Sequence, residues 1–152
     1  MLPTLQLRIC IDVDDLDRAV AFYRDVFGLR PGRRLGDDWV ELLGGTSPID
    51  LLRVASGSQP SSALPETERN YARHWTPVHL DFMVDDLDDA VRRACAAGAT
   101  LDREVQERAY GRMANLADPF GHGLCILQLS ARGYDALLDA PERHDDGGNA
   151  GN

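Results

Sequence analysis

Apolar positions along this chain follow two rhythms, and the rhythms occur in the same order twice. Residues 8–20 read RICIDVDDLDRAV and residues 79–91 read HLDFMVDDLDDAV, so Val-Asp-Asp-Leu-Asp and Ala-Val recur at a constant offset of 71 residues. Each copy opens with alternating apolar positions, which predicts a strand, and passes through Asp-Asp into apolar positions at helical spacing. Those are Leu16, Ala19, Val20, Tyr23 and Phe27 in the first copy, and Leu87, Ala90, Val91, Ala94 and Cys95 in the second. The aspartates are suited to capping the helix amides, and Gly28 and Gly98 stand where a left-handed helix end belongs. Strand-like runs follow: 30–34, 39–43 and 49–54 in the first copy, and 100–107, 112–117 and 124–129 in the second, with Gly and Pro between them. The fold class is therefore α+β, two tandem βαβββ modules. The first spans 5–55 and the second 75–130 within a single domain of 1–130; residues 56–74, rich in Ser and Pro, connect them. Residues 131–152 form an extension whose last stretch, 141–152, lacks apolar anchors and is expected to be disordered.

Strand side chains alternate between faces, so the apolar set selects which face covers the helix. Ile9, Ile11 and Val13 take that side in the first strand, leaving Arg8, Cys10 and Asp12 opposite. Leu80, Phe82 and Val84 do so in the second copy, leaving His79, Asp81 and Met83. In the closing strands the same rule leaves Asp50 and Leu52, and Cys125 and Leu127, on the far face. That mixed polar and apolar face is expected to curl into a half-barrel pocket.

The paired modules, the segment VDDLDRAVAFYRDVFGL (13–29) and the segment LADPFGHGLC (116–125) resemble the vicinal oxygen chelate superfamily, which holds glyoxalase I, bleomycin-resistance proteins and extradiol dioxygenases. The second half is most similar to its uncharacterised glyoxalase-like branch. In metal-using members this resemblance implies four ligands from equivalent strand positions, which fall here on Arg8, Asp50, His79 and Cys125. Only His79 keeps the expected residue type. Arg8 is a permanently protonated donor and would repel a divalent cation; it is suited instead to Asp50 or to an anionic ligand. The expectation is accordingly a metal-free pocket with no cofactor. The alternative is an unconventional divalent metal site built from His79 with Asp50, Asp81 or Cys125.

His79 and Asp81 are the candidate acid–base residues. Arg8, Asp12, Asp50, His79 and Cys125 are the polar candidates for ligand binding, and Trp39, Met83, Tyr110 and Met113 the apolar and aromatic ones. His122, inside PFGHG, is expected to serve a turn. The functional expectation is a bleomycin-resistance-like protein binding a small aromatic or amphiphilic metabolite. The rival is a lyase, isomerase, cyclase or dioxygenase on the same scaffold.

Composition narrows the chemistry further. All 16 basic residues are Arg, with no Lys, which removes Schiff-base and P-loop lysine mechanisms. A net charge of −9 disfavours nucleic acid and anionic membranes as partners. Three scattered cysteines and a start without the signal-peptide pattern point to reduced thiols and a cytoplasmic chain, and a homodimer is expected from the family. No nucleophile elbow, HExxH, GxGxxG or P-loop occurs.

Overall fold

A computed structural model describes residues 5–138; the predicted tail, 141–152, lies outside the described residues. The first half runs β1 (Ile9–Val13), α1 (Leu16–Phe27), β2 (Arg30–Leu35), β3 (Trp39–Leu43) and β4 (Ile49–Arg53). The second runs β5 (Leu80–Met83), α2 (Leu87–Ala96), β6 (Thr100–Leu101), β7 (Gln106–Arg108), β8 (Gly111–Ala117) and β9 (Gly123–Leu129), followed by a 3-10 turn at Gly133–Leu137. The single strand expected over 100–107 is broken in two, and both pieces pair with β8. No helix among the described residues is long and apolar enough to cross a membrane.

Strand order is β1-β4-β3-β2 in one sheet and β5-β9-β8-β6 in the other, so the repeat in sequence is a repeat in topology. In each sheet the opening strand pairs parallel with the closing one: Cys10 lies opposite Asp50, and Asp81 opposite Cys125. The helices begin as the aspartates require. Asp15 accepts from the Arg18 N–H at 3.0 Å and Asp86 from the Asp89 N–H at 2.9 Å, each satisfying an amide left free by the first turn. Gly28 closes α1 in the left-handed region, with φ 68°, whereas α2 ends on Ala97 and Gly98 takes its positive φ one residue later.

The core lies between the sheets and their helices. Val13, Leu16, Phe22, Tyr23 and Val26 from the first half join Leu87, Ala90, Leu116, Phe120 and Ile126 from the second. Phe27 stacks on Phe82 with ring centroids 3.9 Å apart, and the Tyr23 hydroxyl donates to Asp118 at 2.8 Å across the halves. Burial of this apolar surface holds the halves together, since the described strands form two separate sheets with β1 and β5 as free edges.

Candidate functional site

Strand alternation brings Arg8, Asp50, Glu41 and Trp39 to the face of the first sheet turned away from α1. Arg8 donates from Nε to Asp50 Oδ2 at 2.9 Å and from Nη2 to Asp50 Oδ1 at 2.6 Å, a two-pronged grip that the planar guanidinium favours. The same Nη2 donates to Glu41 Oε1 at 2.8 Å. Glu41 stands opposite Asp50 in the β3–β4 ladder, and Arg33 binds it from β2 at 2.5 and 3.0 Å. The Arg33 guanidinium, then that of Arg8, holds the Glu41 carboxyl down to about 2. Both carboxylates are buried, at 4% and 5% exposure, yet each has a cationic partner, as burial of charge demands. Asp12, further along β1, is taken by Arg69 of the connecting segment at 2.6 Å.

The corresponding face of the second sheet carries a different chemistry. His79, Asp81 and Cys125 bring one donor atom each to within 4.8 Å of one another. His79 Nε2 lies 3.2 Å from Asp81 Oδ1, and Asn115 donates from Nδ2 to Cys125 Sγ at 3.1 Å. Burial, reinforced by the Asp81 charge, pushes the Cys125 thiol up to about 11, so it is a protonated thiol at neutral pH. Acid and thiol have exchanged strands between the halves: Cys10 faces Asp50 in the first sheet, and Asp81 faces Cys125 in the second. Met113 and Met83 both register with Leu127 on this face, and Met83 is exposed. The Tyr110 hydroxyl reaches the Met113 sulfur at 3.7 Å.

Several residues join these groups without having been singled out by sequence reading. Glu41 and Asn115 share their faces by simple alternation, and that signal was present in the strand patterns. Trp75, whose ring lies 4.6 Å from that of His79, and Tyr134, 5.2 Å from Tyr110, come from segments without periodicity. The Tyr134 ring contact with Tyr110 seats the 3-10 turn beside the second group, and burial followed by the Asp81 charge raises the Tyr134 hydroxyl. Trp39 stays half-buried on β3, on the sheet face that carries Glu41.

A model of the glyoxalase-like domain matches residues 8–127. The chain belongs to the glyoxalase-like domain family. It is 31% identical over 131 residues to the anthracycline biosynthesis protein DauV of Streptomyces sp. strain C5, a match covering 83% of this chain and 42% of that protein. The chain thus spans about two fifths of the length of the curated relative it matches. A glyoxalase/bleomycin resistance protein/dioxygenase family enzyme of Burkholderia phytofirmans superposes with a TM-score of 0.62 at 26% identity, covering 81% of this chain and 97% of that one. A single-residue mutant of the fosfomycin resistance protein FosX of Listeria monocytogenes, solved with Mn(II) and a dihydroxypropylphosphonic acid, gives a TM-score of 0.64 at 18% identity over 87% of this chain and 94% of its own, a likeness of fold.

The metal chemistry implied by this glyoxalase-like membership can be tested on the donors present. The first sheet does not fit it, because the guanidinium of Arg8 engages both Asp50 and Glu41, and Asp12 on the same face is taken by Arg69. The second sheet offers imidazole, carboxylate and thiol, a mixed set that suits zinc better than a hard ion such as Mn(II), and a metal there would have to displace the thiol proton. Asp50 lies outside that group, so within one chain the four positions fall into two sets.

Proposed function

We propose that this chain binds a small, flat aromatic or amphiphilic metabolite on its mixed sheet faces, and that it does so without a metal held by both halves. One observation carries the reading: Arg8 neutralises Asp50 and Glu41, the carboxylates that would otherwise hold a cation in the first half. Exposed Trp75, Met83 and Tyr134 beside the second polar group supply apolar contact area suited to aromatic rings. The similarity to DauV, an anthracycline biosynthesis protein, supports a polycyclic aromatic ligand. The net charge of −9 is unfavourable for polyanionic partners.

The homodimer belongs to the same proposal. Two separate polar sets, the free edges of β1 and β5 and the exposed apolar residues Leu7 and Val78 support a pocket completed by a second copy, the Arg8 face of one chain meeting the His79 face of the other.

A second reading rests on the His79–Asp81 contact of 3.2 Å: an enzyme of lyase, isomerase, cyclase or dioxygenase type using this pair as acid and base, with or without an ion bound through Cys125. Thermal shift with anthraquinone-2-sulfonate, with and without EDTA, separates the two. Stabilisation undiminished by EDTA is the expected result. Stabilisation that requires zinc, or steady conversion of the probe, would replace the binding reading with the enzymatic one.

A further inference from the structure

The connecting segment meets the β8–β9 hairpin at one point, and the contact there is unusually close. His74 forms a parallel bridge with His122, and its N–H donates to the Gly121 carbonyl at 2.9 Å. A Cβ on Gly121 would lie 2.2 Å from the Ala72 carbonyl oxygen, and one on Gly123 2.0 Å from the Trp75 ring. Both glycines in the PFGHG segment are thus spaces filled by residues 72–75. The turn role expected for His122 accounts for its place in the hairpin but not for its side chain. Its Nδ1 lies 2.8 Å from His74 Nε2, its Nε2 lies 2.7 Å from the Asp12 carbonyl oxygen of β1, and His74 Nδ1 lies 2.9 Å from the Ala72 carbonyl oxygen.

These three contacts determine a proton count. A carbonyl oxygen only accepts, so both outer nitrogens, His122 Nε2 and His74 Nδ1, must carry hydrogen. The inner contact needs one N–H and one lone pair. That makes three protons on four nitrogens, one more than two neutral imidazoles hold. Two protons would set one nitrogen lone pair against an oxygen or against the other nitrogen at hydrogen-bond distance; four would set two N–H groups head to head.

We infer that His74 and His122 share one proton as an imidazole–imidazolium pair, and that this pair positions the segment bearing Trp75 and His79 against both halves of the protein. His74 and His122 are positioning residues: they line the cavity of about 490 Å³ between β1 and β5 together with His79, while their own ring nitrogens are all engaged internally. The neighbouring charges are already matched. Asp12 is paired with Arg69, Arg73 with Asp102, and Asp118 accepts from the Tyr23 hydroxyl and from the backbone N–H groups of Phe120 and His122. Tyr71 presents its ring edge-on to His122, its hydroxyl bonded to the Val54 carbonyl, and Cys10 lies along the same cavity. No carboxylate oxygen contacts either ring among the described residues, so the shared proton is held by the two imidazoles and the carbonyls at their outer ends.

A pH series of long-range ¹H–¹⁵N NMR spectra on the full chain, from about pH 5 to 9, spans the range in which imidazole changes charge. Three ring protons on the pair at neutral pH are expected, one of them lost on raising the pH in a step common to both rings. The Trp75 indole N–H resonance should move in that same step. His122→Gln keeps a donor for the Asp12 carbonyl but cannot share the proton, so in that variant Trp75 should stop following pH. Two protons at neutral pH, separate steps for the two rings, or a Trp75 response retained in His122→Gln would overturn the inference. If the variant fails to fold, the wild-type proton count and the common step decide it alone.

Discussion

Arg8 stands where the family resemblance implies a ligand, and its three bonds to Asp50 and Glu41 decide what the first half can hold. Substituting Arg8→Gln leaves two buried carboxylates facing each other without their shared cation, so the melting temperature should fall by several degrees. Added zinc should then restore more stability than it adds to wild type, since the repelling charge is gone. An equal zinc response in the two proteins, read by thermal shift, would count against the blocking role of Arg8. Glu41 gives a pH dependence with a definite sign. Its carboxyl is held at about 2 against an ordinary 4.5, so its contribution is complete above 4.5 and is lost as the pH falls toward 2. Acid unfolding of Glu41→Gln should accordingly be flatter than that of wild type across that window. Asp50 and Arg8 were legible as partners from alternation and charge; Glu41, by the same alternation, belonged with them.

At the scale of the elements, the helices and their first caps follow from local chemistry, because Asp-Asp before an amphipathic run satisfies amides that no other group reaches. The breaks are where local signals fail. The β6–β7 interruption depends on how β8 pairs, and the seating of residues 72–75 depends on two glycines fifty residues away in sequence. Gly123→Ala should cost about 1–3 kcal/mol in urea unfolding, because the new methyl must displace the Trp75 ring. Tyr23→Phe removes the hydroxyl that binds buried Asp118 between the halves and should cost a similar amount, about 1–3 kcal/mol. A change under about 0.5 kcal/mol in either, the range of ordinary surface substitutions, would show that the contact contributes little.

For the whole molecule, the separation of the Arg8 and His79 sets makes assembly a question of function. Light scattering should give a dimer mass. Mixing equal amounts of Arg8→Glu and His79→Ala chains should recover about a quarter of the probe sites of an unmixed wild-type sample, since about half of the dimers would be mixed and one of the two shared pockets in each would be free of both substitutions. No recovery from a mixture of stable dimers would mean that each pocket lies within one chain. The repeat, the helices with their caps, the face each strand residue uses and the absence of any lysine chemistry follow from the chain alone, since periodicity, capping and composition are local properties. Which polar groups meet is settled by three-dimensional packing. Arg8 with Glu41, Asp81 with Cys125, and His74 with His122 are distant in the chain, and their pairing depends on ladder register and on the packing of the two halves around one core.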